Sequence, residues 1–182
     1  MLSLETERLL LRDFRSGDFE AFYATTQDPE YQKFYSEKES GREFWKSIFD
    51  SLLVPFEVEE RLKYQVAISL KTGVLIGTCG VRIEDCENRQ ASFGCAIARP
   101  YWGKGLAVEA SHRILGYGFS ELGMHRIYAE TISENARAGM LARRLGMRLE
   151  AELRENRFFR GRWWHTAIYA ILKDEWEIAS RR

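Results

Sequence analysis

Residues 99–111, RPYWGKGLAVEAS, set two glycines one residue apart between a strand-like run and a helix-like one. Glycine inside an element costs about 0.5–1 kcal/mol, so this seam specifies a bend. The first turn of a helix carries unpaired backbone N–H groups and a partial positive charge, and both favour phosphate. Gly103, Gly105 and the small Ala107 would let phosphate oxygens reach those amides, and Lys104 adds a cation. The dinucleotide pattern G-x-G-x-x-G fails because residue 108 is Val, and no G-x-x-x-x-G-K-[ST] occurs. On its own the stretch fits a phosphate cradle and a structural turn equally well.

Other reactive side chains are sparse. Cys79, Cys86 and Cys95 form no Cys-x-x-Cys pair, and an odd number of cysteines suits buried thiols in a reducing compartment better than disulfides or zinc. No metal is expected. With 27 basic and 27 acidic residues the formal net charge is zero, which gives no general electrostatic reason for a nucleic-acid or membrane partner. The basic ARRLGMR at 142–148 fits a solvated helix end, and RFFRGRWWH at 157–165 fits a packed hairpin with exposed arginines better than a base-stacking platform. The N-terminal MLSLETERLLLRDF has no signal-peptide shape and no run approaches a membrane span, so a cytoplasmic location is expected.

The elements that must position these residues follow from periodicity. RLLLRDF (8–14) reads as a first strand and 18–26 as a short helix. Residues 40–60 read as a helix interrupted at Pro55, with Phe44, Trp45, Ile48, Phe49, Leu52 and Leu53 at helical spacing as core. KYQVAISL, the KTG turn and VLIGTCGVRI form a hairpin, and ASFGCAIA is a further strand. A helix over 104–122 ends at Gly123, HRIYAETIS is β-like, and a helix over 135–145 ends at Gly146. MRLEAELRE alternates Met147, Leu149, Ala151 and Leu153 with polar residues, the clearest half-buried strand. TAIYAIL is a buried last strand and KDEWEIA a terminal helical turn or two. Early hairpins beside later strand–helix–strand crossovers make this an α/β chain with a mixed, mostly antiparallel sheet flanked by helices, in one domain over 1–182.

With SENARAGMLARRLGM about thirty residues downstream, the glycine stretch resembles the Gcn5-related N-acetyltransferase (GNAT) family, most closely its RimJ/RimL ribosomal-protein N-terminal acetyltransferase branch. Trp102–Ala107 fills the family's [Q/R]-x-x-G-x-[G/A] region, with Gly105 and Ala107 at the small positions and Glu109–Ala110 following. Glu134–Asn135, Leu141, Leu145, Gly146 and Met147 match the second signature, and ETERLLLR matches the branch's first strand. The resemblance implies acetyl-CoA as co-substrate and direct attack by an amine, without metal or acyl-enzyme. The pyrophosphate would sit on Trp102, Gly103, Lys104, Gly105, Leu106 and Ala107, and the pantetheine would run along main-chain groups near Ile97 and Arg99. A backbone N–H near Cys95 or Ala96, taken as that of Ala96, would polarise the thioester carbonyl. Asn135 would bond the pantetheine or an active-site water.

Departures concern the proton carriers. The usual acid positions hold Ala138 and Ala142, and the common Glu near the start of the central strand is Ser92. Glu84, with Asp85, ends the preceding strand near the expected splay and is the first candidate base. His165 stands where the branch often has Asp; a structural role between aromatics fits it better than base or substrate contact. The acceptor is a protein N-terminal amine or a small-molecule amine, and the chain acts as monomer or homodimer. The alternative is an acyl-CoA-binding sensor or scaffold with little transferase activity.

Overall fold

The computed structural model describes residues 2–53 and 61–180. The chain runs β1 (Ser3–Glu5), β2 (Leu9–Arg12), α1 (Phe19–Thr26), α2 (Pro29–Gln32), α3 (Arg42–Asp50), β3 (Lys63–Leu70), β4 (Leu75–Asp85) and β5 (Gln90–Ile97). It continues through α4 (Leu106–Ser120), β6 (Arg126–Ile132), α5 (Ala136–Arg144), β7 (Arg148–Phe159), β8 (Arg162–Leu172) and α6 (Lys173–Ser180). Eight strands form one sheet in the order β1-β2-β3-β4-β5-β6-β8-β7. All neighbours are antiparallel except β5 and β6, which α4 joins as a parallel crossover. The expected mixed sheet is therefore present.

Strand alternation divides the burial between two layers. Cys79, Val81, Ala91 and Phe93 pack with Leu106, Ala110, Ile114, Leu115 and Phe119 of α4, and Ala142 and Leu145 of α5 join the same cluster. On the opposite face Phe14, Phe19, Phe22, Trp45, Phe49 and Leu52 pack over Ala67. Their rings meet edge-on, Phe14 and Phe49 at 5.5 Å between centroids, a geometry that favours quadrupolar contact. The expected core role of Trp45, Phe49 and Leu52 holds.

Three expectations change. The strand expected at 8–14 forms as β2, and an unexpected short strand, β1, precedes it because the chain reverses through the turn at residues 6–8 where Thr6 N–H donates to Leu9 O. The helix over 40–60 is confirmed only for Arg42–Asp50; Pro55 lies outside the described residues. The third change is the strand at 147–155. It forms, but Leu149 and Leu153 are 52% and 43% exposed, because β7 is the outermost strand and no element among the described residues covers them. Alternation predicts a strand correctly; it does not supply a partner layer.

Candidate active site

The parallel ladder between β5 and β6 is short. Gln90, Ala91 and Ser92 pair with Arg126, Ile127 and Tyr128, and there the pairing stops while both strands continue to Ile97 and Ile132. A gap opens in the middle of the sheet. Backbone groups of β5 that would have bonded to β6 are left facing it. Ala98 N–H donates to Ile76 O on β4, and the β4–β5 register has no slip near that end. Alternation then turns the Ala96 amide toward β4 as well and that of Cys95 toward the gap. Of the two amides expected to polarise a thioester, that of Cys95 faces the gap and that of Ala96 faces β4.

One wall of the gap is the glycine stretch. Gly103 and Gly105 adopt φ +74° and +77°, left-handed values that cost an L-residue about 1–2 kcal/mol. Gly105 is the N-cap of α4 and offers no side chain, so the helix's first amides have no side-chain cap. A Cβ at Gly103 would meet nothing within 4 Å. An uncapped, exposed helix start after two left-handed glycines fits a pyrophosphate. Lys104 lies over the Tyr101 ring, 5.3 Å away, and its carbonyl accepts from Arg8 Nη1 at 3.0 Å. Arg8 is itself held by Glu109, which accepts from Arg8 Nε at 2.6 Å and from Thr6 Oγ1 at 2.6 Å. The N-terminal strands thus brace the loop, a role the sequence pattern does not reveal. Leu106 is buried beneath it and Ala107 half-buried.

Trp102 and Ile97 are tied to each other. The Trp102 indole N–H donates to Ile97 O at 2.6 Å, which gives that carbonyl a partner within the chain. Arg137 at the start of α5 lies over the Trp102 ring at 4.2 Å and pairs with Glu30 at 3.3 Å. Arg99, in the turn after β5, reaches Asp28 at 3.9 Å. Asn135 caps α5, its Oδ1 accepting from Ala138 N–H at 3.2 Å, so its Nδ2 donors remain for a ligand.

The other side of the sheet at the gap is acidic and aromatic. Ala91 and Phe93 of β5 and Ile127 and Ala129 of β6 face α4. Ser92, Gly94, Tyr128 and Glu130 therefore share the opposite face. Glu84 is there too, accepting from Ser92 Oγ at 2.5 Å, but Arg82 grips it through Nε at 2.7 Å and Nη2 at 3.0 Å. The Arg82 and Ser92 bonds hold the Glu84 carboxyl below its ordinary range. That makes it a poorer proton acceptor than the free carboxylate the sequence suggested. Two residues beyond the last rung, Gly94 and Glu130 stand opposite each other across the gap. A Cβ at Gly94 would meet nothing within 4 Å, so space is open above it. Glu130 is exposed, and among the described residues its carboxylate makes no hydrogen bond or ion pair. Burial raises the Tyr128 phenol, and the charges of Glu84 and Glu130 raise it further, so all three are near neighbours. Sequence reasoning missed Glu130, because nothing in RIYAETI says where the pairing of this strand with β5 stops.

His165 is structural in its geometry: Nδ1 accepts the Glu155 N–H at 3.0 Å, where Glu155 sits at φ +51° in a bulge of β7. Cys95 is half-buried, and burial pushes its thiol up to about 11. It stays protonated near neutral pH and is no competitor for the acyl group. No described helix is long and apolar enough to cross a membrane.

Comparison with known proteins agrees with this geometry. Residues 8–148 match the acetyltransferase (GNAT) domain model. An uncharacterized N-acetyltransferase, p20 of Bacillus licheniformis, is 31% identical over 181 residues, covering 97% of this chain and 99% of its own. A GNAT-family acetyltransferase structure from Bacillus anthracis superposes with TM-score 0.81 at 26% identity, covering 95% of this chain and 99% of that one. The spermidine N-acetyltransferase of Vibrio cholerae, solved with CoA and spermine, shares the fold at TM-score 0.80 and 22% identity, covering 94% and 99%. The chain belongs to the GNAT acetyltransferase family and is an acetyl-CoA-dependent N-acetyltransferase.

Proposed function

We propose that the chain moves the acetyl group of acetyl-CoA to a primary amine across the β5–β6 gap, with the two substrates entering from opposite faces of the sheet. The observation that carries this reading is the parting of the strands after Ser92 and Tyr128, beside the uncapped start of α4. Gly103 to Ala107 hold the pyrophosphate on backbone amides, with Trp102 and Lys104 shaping the loop. Arg99 and the Nδ2 of Asn135 border the pantetheine. The Cys95 amide replaces that of Ala96 as the donor to the thioester carbonyl. Positioning of two reactants supplies much of the rate, since the thioester is already activated.

The attacking amine must lose a proton. Glu130, without a cationic partner among the described residues and opposite the open space above Gly94, takes that role; Glu84, gripped by Arg82, orients Ser92 and adds negative charge. A carboxylate at the acceptor mouth also attracts an ammonium group. This suits a small cationic amine such as a polyamine, the class of molecule found with CoA in the Vibrio structure, and it suits an N-terminal α-amine of the kind the RimJ/RimL resemblance implies. One domain spanning 1–182, working as monomer or homodimer, would suffice.

The test is an acceptor screen, with polyamines, small amines and peptides bearing free N-termini offered with acetyl-CoA and CoA thiol release followed. Turnover with at least one class is expected. Tight CoA binding with no release across the panel would instead favour the sensor reading.

A further inference from the structure

A cavity of about 530 Å³, within the size range of small-molecule sites, opens between α5 and β8. Ala136, Gly139, Met140 and Arg143 recur at i, i+3, i+4 and i+7 and line it as one face of α5. Leu141, Ala142 and Leu145, which pack into the α4 cluster, make the opposite face. The floor is Tyr169 of β8, a strand separated from the gap by β6. The helix therefore stands between this cavity and the coenzyme path beside α4, with Asn135 bordering both. A basic residue in the last turn of a helix ordinarily serves the terminal carbonyls. Arg143 instead donates through Nη2 to the Tyr169 hydroxyl at 3.2 Å, its guanidinium 5.4 Å from the centre of that ring. Gly139 makes room for this, since a Cβ there would meet the Tyr169 hydroxyl at 2.9 Å. A guanidinium can only donate, so the phenol accepts from Arg143 and keeps its own O–H for another acceptor. Ser133 Oγ, on the same wall, is buried with no hydrogen-bond partner among the described residues. Arg144 lines the cavity too, and among the described residues neither arginine has a carboxylate partner. Other arginines at this end of the sheet are engaged. Arg137 pairs with Glu30 at 3.3 Å, Arg162 with Glu134 at 3.4 Å and Arg148 with Glu175. Arg160, at the tip of the β7–β8 hairpin, donates to the carbonyls of Tyr35 and Gln32 at 3.0 and 3.3 Å, in a strap formed by residues 28–35.

We propose that this cavity is a second binding site, separate from both substrates of the transfer reaction, and that it takes a small organic anion. Its ligand carries a carboxylate or a phosphate monoester on an apolar body. The two guanidinium groups hold the anionic head, because their planar donors match carboxylate and phosphate oxygens, and the Tyr169 O–H supplies one more bond. The body lies on Met140, which is 52% exposed at the rim. Leu149 extends the same surface: it is the cross-strand partner of Tyr169 on β7, so the two side chains share a face of the sheet. The apolar part is needed as well as the charge, since exposed charge pairs contribute little by themselves. Glu152, also on that face of β7 opposite Ala167, does not line the cavity, and Glu134 is already committed to Arg162. Binding is reversible and no bond of the ligand is made or broken.

The test is calorimetric titration of the protein saturated with CoA, which keeps the pyrophosphate seat filled. Phenyl phosphate and benzoate are the probes, and uncharged benzyl alcohol is the control. At least one anion should bind one-to-one with a Kd of about 1 mM or tighter, and the one that binds identifies the head group. Benzyl alcohol should bind at least about tenfold more weakly. Arg143→Gln and Arg144→Gln should each weaken the anion about tenfold, and Tyr169→Phe about threefold, with CoA affinity and melting temperature unchanged. Arg144 is exposed, so its variant keeps the test valid even where a change at Tyr169 disturbs folding. Absence of saturable binding by either anion up to about 10 mM would overturn the proposal. So would benzyl alcohol binding as tightly as the anions, or anion affinity indifferent to both arginines. Binding seen only without CoA and lost on its addition would place the anion in the coenzyme site and overturn it too.

Discussion

The two faces of the β5–β6 gap are built in contrasting ways. The α4 side is made of backbone: two left-handed glycines, an uncapped helix start and amides of β5, with Arg8 and Glu109 bracing them from behind. The opposite side is made of side chains: Glu84, Glu130, Tyr128 and the stacked Tyr31–Tyr35 pair against Trp45. A backbone site recognises what every acetyl-CoA molecule has in common, and it needs a few small residues at fixed spacing. A side-chain site recognises one acceptor among many and can be rewritten residue by residue. The same asymmetry explains why the donor is identifiable here and why the acceptor must come from the screen.

The sharpest way to break this comparison is at Glu130. Glu130→Gln should lower kcat about 100- to 10,000-fold, the range for loss of a general base, with acetyl-CoA affinity unchanged. The deficit should be largest for amines that are fully protonated at the assay pH and smallest for weakly basic amines already present as free base. A uniform loss confined to KM would reduce Glu130 to an ammonium-binding group. On the other side, Cys95 should be nearly inert. With its thiol near 11, only about 0.1% is thiolate at pH 8, so alkylation should run about 100-fold slower than at an ordinary exposed cysteine. The rate should climb about tenfold per pH unit up to 10, where an ordinary thiol has levelled off, and acetyl-CoA should protect it. Mass mapping of the alkylated peptides measures both effects.

Gly105→Ala probes the backbone site itself. The new Cβ has room, its nearest neighbour being Arg8 Nη2 at 3.5 Å, but φ +77° is unfavourable for alanine. Stability should drop by about 1–2 kcal/mol with the fold retained, and acetyl-CoA affinity should fall about tenfold as the amides shift. A stability loss with no change in calorimetric affinity would make the glycines a turn and nothing more.

These effects track what could be read from sequence. The bend at Gly103 and Gly105 and the uncapped start of α4 were legible because glycine spacing and a helix start are both local in the chain. The order of elements along the chain and the mixed sheet followed from periodicity for the same reason, whereas the insertion of β8 between β6 and β7 did not. The placements of Glu130 and Arg160 were not legible, because they depend on where β6 stops pairing with β5 and on a strap brought in from residues 28–35, more than fifty residues before β5. Periodicity likewise fixed β7 as a strand but carried no information on what covers Leu149 and Leu153, since that depends on its edge position. Whether the Ala96 or the Cys95 amide faces the gap was not legible either, since that is a single step of strand alternation set by hydrogen bonding to β4.

The smallest expected effect is at Glu84, and it is the most discriminating about the acidic side. Arg82 and Ser92 hold its carboxyl low, so in the folded protein it stays ionised to lower pH than in the unfolded chain. Its contribution to stability is therefore present above the ordinary carboxylate range near 4.3 and is lost as pH falls through the lowered folded value. Because the pair with Arg82 is a surface one, that contribution is within about 1 kcal/mol. Glu84→Gln should change kcat by less than about threefold and leave the acid limb of the pH–rate profile in place, since a carboxylate already committed to an arginine is a weak competitor for the amine's proton. A shifted acid limb in this variant, with Glu130→Gln retaining its own, would return the base to β4 and reverse the roles of the two glutamates.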